Sequence, residues 1–396
     1  MVGVSAIGMF LFTSRPVGDA MATTIWGTSS SWTLTALPLF VWMGEILFRT
    51  KLSENLFKGL APWLSRLPGG LIHVNVVGCA LFAAISGSSA ATVATVGKMS
   101  IPELRKRNYP EKLLLGSLAG SGTLGLLIPP SIILIIYGVT VQESIAKLFI
   151  AGIFPGIMIA IFFMLYVIGW SVINKNSMPK MDETFSFSQK IKQSGQLIPV
   201  IVLILAVIGS IYVGIATATE AASLGVVGAL ILSFFQKSLN KETFKLSLLG
   251  ATKTSCMIAF ILAGSAFLSL AMGFTGLPRN LAIWINEMGL SPYVLIMVLT
   301  LFYIILGMFL DGISAVVLTM AIIEPMIRQA GFDMIWFGVF LVIVVEMAQI
   351  TPPVGFNLFV LQGMAEKDMG FIAKSAVPLF LLMIVAVVVI VIFPEI

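Results

Sequence analysis

Long apolar stretches separated by short polar connections run along the whole chain of 396 residues. The stretches cover approximately residues 33–48, 71–96, 113–140, 147–173, 196–212, 220–236, 250–274, 289–323, 334–364 and 371–394, with a shorter one at 1–13. An α-helix needs about 20 apolar residues to cross a bilayer. Several stretches are longer than one crossing requires, and Gly, Ser and Pro interrupt them. The pattern predicts an all-α polytopic membrane protein with about ten to eleven spans, some of them broken.

The composition of the chain excludes a soluble protein. Hydrophobic residues make up 58% of it and charged residues only 10%, whereas a soluble domain is about 25% charged. Because the deficit extends along the whole chain, nucleic-acid binding and most cytosolic enzyme activities are excluded. The two cysteines lie far apart and His73 is the only histidine, so the sequence indicates neither a disulfide framework nor a His-rich metal centre.

The basic residues predict the orientation in the membrane. The connection 174–195 carries Lys175, Lys180, Lys190 and Lys192, and the connection two spans later carries Lys237, Lys241 and Lys245. We place this side in the cytoplasm because cytoplasmic connections are enriched in Lys and Arg. If Gly87 and Gly312 are the tips of re-entrant hairpins, then apart from Lys98 in the first hairpin the basic residues left outside are Arg15, Lys147, Arg279 and Arg328. The charge distribution therefore favours two re-entrant hairpins.

Four short motifs recur in the same order at a nearly constant distance. Residues 40–44, 60–63, 87–90 and 128–130 match residues 260–264, 281–284, 312–315 and 351–353, at offsets of 220, 221, 225 and 223 residues. One such match is weak, but four in order indicate a duplication. In the topology above, the leading span of the first unit runs inward and that of the second runs outward. Inverted repeats of this kind are typical of secondary transporters.

The duplication predicts the organisation of the chain. We expect an N-terminal remnant or first scaffold helix at 1–32, a first inverted repeat at 33–173, a cytoplasmic connection at 174–195, scaffold helices at 196–249, and a second repeat with a terminal helix at 250–396. Hairpins are expected at about 73–110 and 289–331, and broken helices at 113–140 and 334–364.

The interrupted segments carry the candidate chemistry. The first predicted tip reads Ser-Gly-Ser-Ser at 86–89, and the break facing it ends at Pro129-Pro130. A Pro-Pro pair removes two backbone donors and leaves carbonyls of the preceding turn without partners. In transporters such carbonyls, helped by hydroxyls, hold Na⁺, while the N-terminal ends of half-helices favour an anionic substrate. The candidate substrate ligands are the polar side chains of both units, Ser88, Ser89, Thr123, Ser314 and Asn357.

Asp311 is the strongest single candidate in the second unit. It precedes Gly312 at the second predicted tip, opposite Thr351-Pro352-Pro353. An ionisable residue at membrane depth is costly and is a functional candidate by default.

Each of these motifs also has a purely structural interpretation. The small residues around Gly87 can serve close helix packing, and Asp311 can cap the following helix, which is compatible with binding. The Pro-Pro pairs can be simple kinks. His73 is interpreted as a structural histidine, and an intramembrane serine hydrolase using Ser88 or Ser89 lacks an activating base nearby.

At these motifs the chain resembles the large membrane subunit of the tripartite ATP-independent periplasmic (TRAP) transporters. The resemblance rests on residues 37–40 (Leu-Pro-Leu-Phe) with 44–45 (Gly-Glu), 69–76, 86–90, 128–131 with 137–138, 148–156, 219–222 (Thr-Glu-Ala-Ala), 311–314 and 351–357. These motifs extend over about residues 33 to 375.

The resemblance implies a function and its partners. It implies an elevator-type, Na⁺-coupled importer of organic anions in the inner membrane of a bacterium or archaeon, with no cofactor and Na⁺ as the coupling ion. It also implies a secreted substrate-binding protein and a small four-helix membrane subunit as partners. The implied Na⁺ sites map here onto Ser86, Gly125, Ile128 and Pro130 in the first unit, and onto Asp311, Gly312 and Thr351 in the second.

The chain departs from the family pattern at two places, and three alternative functions are weighed against the one that the resemblance implies. The family usually opens with a full hydrophobic helix, and we expect residues 1–13 to be a remnant of it. The family often has Thr-Pro-Thr-Glu where this chain has Thr-Ala-Thr-Glu at 217–220. The rivals are a stand-alone Na⁺ symporter for dicarboxylates, a channel and, more remotely, the intramembrane serine hydrolase.

Overall fold

The computed structural model describes the chain except residues 14–15, 50–51, 180–185, 196, 288, 290 and 396. The basic residues Arg15 and Lys180, which entered the predicted orientation, therefore lie outside the described residues. The described part contains twenty α-helices and no β-strand, which confirms the all-α prediction.

The first half of the chain contains ten of these helices. They are α1 (Val2–Phe12), α2 (Val17–Ser29), α3 (Ala36–Phe48), α4 (Leu52–Leu64), α5 (His73–Ser86), α6 (Ser89–Lys106), α7 (Glu111–Gly122), α8 (Leu124–Leu127), α9 (Ile132–Val141) and α10 (Ile145–Ile173). The predicted first hairpin thus corresponds to α5 and α6, which contact each other, and the predicted first broken helix to α7, α8 and α9.

The second half contains the other ten. They are α11 (Phe187–Ser194), α12 (Ile198–Tyr212), α13 (Ala218–Phe235), α14 (Lys241–Thr275), α15 (Leu277–Glu287), α16 (Pro292–Gly307), α17 (Gly312–Gln329), α18 (Met334–Ala348), α19 (Phe356–Ala365) and α20 (Met369–Ile392). The predicted second hairpin corresponds to α16 and α17, and the second broken helix to α18 and α19. That these two sets of helices are inverted repeats, and that the hairpins are re-entrant, remain predictions.

The lengths of the helices bear on the number of membrane crossings. Six helices of the described chain are long and apolar enough to span a bilayer, or up to eight if each of two bent pairs counts as one span. Five shorter apolar helices of 10–17 residues, including α18 and α19, are too short to count as full spans. Helices can thus fall short of a full crossing because a continuous apolar stretch is divided, as the stretch 334–364 is between α18 and α19.

The helices form two groups that contact each other. In the first group α3 packs against α13 and α14, and α12 packs against α13. In the second, α5 to α10 pack with α17 to α20. The groups meet where α3 contacts α5 and α14 contacts α17.

Burial distinguishes central from peripheral segments. In the most apolar 18-residue window of Glu111–Val141, 89% of the residues are buried inside the protein, whereas in that of Met369–Ile392 only 39% are buried. A helix that is hydrophobic on all sides belongs inside a large protein or in lipid. The broken helix therefore lies at the protein centre, while α20 presents apolar side chains outward.

Candidate substrate and cation site

The tip between α5 and α6 is closed by short-range hydrogen bonds. Gly87 ends α5 with φ of +58°, a left-handed conformation that glycine adopts without strain. Ser88 then caps α6, its Oγ accepting from the amide of Ala91 at 3.4 Å. The Ser86 hydroxyl lies 2.8 Å from Thr92 Oγ1, which donates to the carbonyl of Ser88 at 2.8 Å. The local sequence thus explains both the reversal and the start of α6.

The break between α7 and α9 packs directly on this tip. A Cβ added to Gly125 would lie 2.7 Å from the Ser88 carbonyl oxygen, and one added to Gly87 would lie 2.9 Å from that of Pro130. Ile132 donates its amide to the Gly87 carbonyl at 3.5 Å. Ile128, with extended backbone, lies between these contacts in the chain. Three of the four predicted first-site residues, Ser86, Gly125 and Pro130, therefore surround Gly87-Ser88, and Ile128 connects two of them.

The second tip is organised around Asp311. Its Oδ2 accepts a hydrogen bond from the amide of Ser314 at 3.2 Å, so Asp311 caps α17, as the structural interpretation expected. The residue is nevertheless exposed, and Gly312 beside it is buried. A cap uses part of the carboxylate and leaves lone pairs for a ligand. The capping and binding roles therefore remain compatible.

The break between α18 and α19 brings backbone carbonyls together. Gly355 has φ of +44°, and a Cβ there would lie 2.8 Å from the Thr351 carbonyl oxygen and 3.2 Å from that of Gln349. Thr351 donates its hydroxyl to the Met347 carbonyl at 2.8 Å. Val354 donates its amide to Met308, at the end of α16, at 3.2 Å. The break is therefore attached to the segment that leads into the second tip.

One cavity of about 500 Å³ lies between the two tips. Five sequence-predicted residues line it, namely Ser86, Ser88, Ser89, Asp311 and Gly312. The opposite wall comes from the first helix group, with Val41, Gly44, Glu45 and Phe48 of α3 and Thr254, Met257 and Ile261 of α14. Segments more than 200 residues apart in the chain thus converge on a single site.

The other predicted ligands lie outside the lining of this cavity. Thr123 donates its hydroxyl to the Gly120 carbonyl at 2.6 Å and contacts Met383 of α20 at 3.6 Å. Asn357 is fully buried near Gly122. Ser314 contributes its amide to the Asp311 cap. Gly125 lies in α8, Ile128 and Pro130 lie between α8 and α9, and Thr351 lies between α18 and α19.

The electrostatics of the cavity come from carboxylates and helix ends. Among the described lining residues, the charged ones are Glu45 and Asp311, and none is Lys or Arg. Glu45 pairs with Arg49 at 2.9 Å. The first turns of α6, α17 and α19 contribute to the lining through Ser89, Gly312 and Phe356. Helix N-termini carry a partial positive charge that favours anions.

Sequence reasoning missed two polar residues of this region. Gln349 lines the cavity, and Glu346, one turn earlier on α18, is fully buried. A signal was present, because Glu346 is the only charged residue in the apolar stretch 334–364. The rule that selected Asp311, that a carboxylate at membrane depth is functional by default, applies to Glu346 equally.

Comparison with known proteins decides the family. The model of the tripartite ATP-independent periplasmic transporter, DctM component, matches residues 1–396. The chain belongs to this TRAP transporter family. It is 30% identical over 392 residues to the C4-dicarboxylate TRAP transporter large permease protein DctM of Pseudomonas aeruginosa, covering 99% of this chain and 91% of that protein. It is 31% identical to the 2,3-diketo-L-gulonate TRAP transporter large permease protein YiaN of Escherichia coli, covering 95% and 88%.

Further comparisons extend this result. The isethionate TRAP transporter permease protein DctMQ of Oleidesulfovibrio alaskensis is 30% identical over 97% of this chain and 60% of that protein. The structure of the YdaH transporter of Alcanivorax borkumensis superposes with a TM-score of 0.66, at 13% identity, covering 93% of this chain and 86% of that one. This likeness shows the fold alone. The family consists of transport permeases, so the chain is not an enzyme and the serine-hydrolase alternative is wrong.

Proposed function

We propose that this chain is the large permease of a Na⁺-coupled symporter for organic anions, located in the inner membrane of a bacterium or archaeon. The observation that carries the proposal is the cavity of about 500 Å³ lined by both helix tips and by helices α3 and α14. Membership of the TRAP large permease family supports it independently.

An anionic substrate and a coupling cation fit the same cavity. Three helix N-termini favour an anion, yet the charged residues described in the lining, Glu45 and Asp311, repel one. Bound Na⁺ offsets this repulsion and lowers the cost of bringing a carboxylate to membrane depth. We assign one Na⁺ to Ser86, Gly125, Ile128 and Pro130 and another to Asp311, Gly312 and Thr351.

The substrate is expected to be a small organic acid. The relatives named above transport C4-dicarboxylates, isethionate and 2,3-diketo-L-gulonate, all of them small anions. We assign Ser88 and Ser89 to direct contact with the substrate because they line the cavity. Thr123, Ser314 and Asn357 remain candidates that would have to act from behind its wall.

The transport step is proposed to be an elevator movement. One wall of the cavity belongs to the tips and the other to α3 and α14. If the helices that carry the tips and breaks move as a body past α3, α12, α13 and α14, the cavity is carried from one side of the membrane to the other. Closing both tips over the substrate beforehand would keep the ion and the anion together.

The proposed partners are a periplasmic substrate-binding protein and a small four-helix membrane subunit. The decisive experiment is uptake into proteoliposomes that contain this chain and its small subunit, with an inward Na⁺ gradient and the cognate binding protein each present or absent. We expect uptake only when both are present. Uptake that needs Na⁺ but not the binding protein would identify a stand-alone symporter, and uptake independent of Na⁺ would refute the coupling.

A further inference from the structure

A buried carboxylate behind the cavity has no counter-charge among the residues that the structure describes. Glu346 lies on α18 and is 0% exposed, and it is the only buried carboxylate in the described part of the chain. Neither of its oxygens accepts a hydrogen bond of normal geometry from the described residues, although the Ser89 side chain lies nearby. A carboxylate in such a place is strongly destabilising unless a positive charge or strong hydrogen bonds compensate it.

Three polar side chains near this end of α18 are able to complete a site with the carboxylate. The Ser89 side chain, at the start of α6, is close enough to interact with it. Asn357 is also 0% exposed, and neither its amide oxygen nor its amide nitrogen has a described partner. The amide nitrogen of Gln349, the residue that follows the last turn of α18, is likewise buried without a described partner.

Packing between α6 and α7–α8 places Asn357 within reach of the same position. The Asn357 amide nitrogen lies 3.5 Å, and Val93 Cγ2 2.0 Å, from the position a Cβ on Gly122 would take. One turn away, Ser89 lies against Gly125 in the same manner, at 2.6 Å. Ser89 and Val93 are four residues apart on α6, which is about one helical turn, roughly 5 Å along the axis. The backbone amide of Asn357 also donates to the Gln349 carbonyl at 3.1 Å, three residues beyond Glu346. A single ion can bridge groups about one turn apart.

We propose that Glu346, Ser89 and Asn357 bind a Na⁺ in addition to the two assigned beside the tips. This inference rests on the proposed Na⁺-coupled function and extends it by one site. The donor set consists of a carboxylate, a hydroxyl and an amide carbonyl, all hard oxygen ligands suited to such a cation. A single positive charge balances the single carboxylate, whereas a divalent ion would leave a net buried charge.

A proton on Glu346 explains the structure less well. Protonation would neutralise the carboxyl group but would leave the Asn357 amide oxygen without a partner. One Na⁺ accounts for both groups together. The site would also join the first tip, through Ser89, to α18 and α19 of the second broken helix. Occupancy behind the cavity would then hold the two halves of the moving body together, while Ser88 and Gln349 line the cavity on the substrate side.

Equilibrium binding of ²²Na⁺ to the purified complex of this chain with its small subunit tests the site. We expect Glu346→Gln, which keeps the shape and removes the charge, to bind one Na⁺ fewer than the wild-type complex. The matched control is Glu242→Gln, at an exposed carboxylate in the first turn of α14, which should leave the number unchanged. Size-exclusion profiles and melting temperatures confirm that each variant is folded.

A second variant keeps the test valid if Glu346→Gln does not fold. Asn357→Ala should raise the Na⁺ concentration for half-saturation of one site by at least ~10-fold, since even outer-sphere partners contribute that much to metal affinity. An unchanged number and affinity of bound Na⁺ in both variants would overturn the third site. If Na⁺ binding is unchanged in Glu346→Gln but its uptake no longer depends on pH, Glu346 carries a proton instead of binding Na⁺. Failure of the wild-type complex to bind Na⁺ at all would refute the proposed coupling together with this site.

Discussion

The two helix tips that meet at the cavity are built differently. The first is a compact turn in which Gly87 reverses the chain and Ser88 caps α6. It rests on backbone atoms of the facing break, because Gly125 approaches the Ser88 carbonyl closely. The second starts with an exposed carboxylate, Asp311, that caps α17. Its glycine, Gly312, faces side chains such as Val345.

This difference predicts different roles for the two tips. A tip held against backbone cannot adjust to a larger neighbour, since backbone atoms of two packed elements have to move together. A tip surrounded by side chains can adjust through rotamer changes. We infer that the first tip provides a rigid, neutral binding surface and that the second provides charge and adaptability.

The largest effect is expected at Asp311. Asn caps helices about as well as Asp, so Asp311→Asn removes the charge and keeps the cap, whereas Asp311→Ala removes both. Losing the charge of an ion ligand costs several kcal/mol, so Na⁺-driven uptake should fall by ~100-fold in both variants. Uptake into proteoliposomes measures this. Normal uptake by Asp311→Asn, with loss of uptake only in Asp311→Ala, would show that Asp311 acts only as a helix cap.

The rigid first tip predicts a smaller but clear effect of one methyl group. Gly125→Ala places a Cβ 2.6 Å from Ser89 Cα, so the tip must shift, at a cost of about 1–3 kcal/mol. We expect the substrate concentration for half-maximal uptake to rise by ~10-fold. Gly312→Ala is the matched variant, because its nearest neighbour is the Val345 side chain at 2.9 Å. Equal effects at both glycines would remove the distinction between the tips.

A hydroxyl deletion tests which tip contacts the substrate. Ser88 lines the cavity, whereas Ser314, at the start of α17, does not belong to the described lining. Loss of one hydrogen bond and of a helix cap should raise the half-saturating substrate concentration by ~3- to 10-fold in Ser88→Ala. Ser314→Ala should change it less. The reverse order, measured by concentration-dependent uptake, would assign the contact to the second tip.

The smallest effect is expected at Thr123. Its hydroxyl bonds to its own helix and faces Met383 of α20. Thr123→Val keeps the shape and removes a single hydroxyl, so substrate affinity should change by less than ~2-fold. A change of tenfold or more would show that the break reorganises during transport and turns Thr123 toward the substrate, as the sequence motif predicted.

Much of the architecture follows from local sequence. The apolar stretches predict the membrane class and the all-α fold, because backbone polar groups in lipid need helical partners. The Pro-Pro pairs at 129–130 and 352–353 predict the two breaks, and Gly87 and Asp311 predict the two tips, since each acts through its own backbone or the next turn. The family resemblance also rests on these motifs.

Only the tertiary structure decided which side chains share the cavity. The helices around the breaks are apolar on nearly every face, so hydrophobic periodicity does not report which side faces the site. Thr123 and Ser88 have similar sequence contexts, yet one faces α20 and the other the cavity. The placement of Glu346 beside Ser89 joins segments more than 250 residues apart. Contacts of that kind depend on how whole helices pack, which local sequence does not encode.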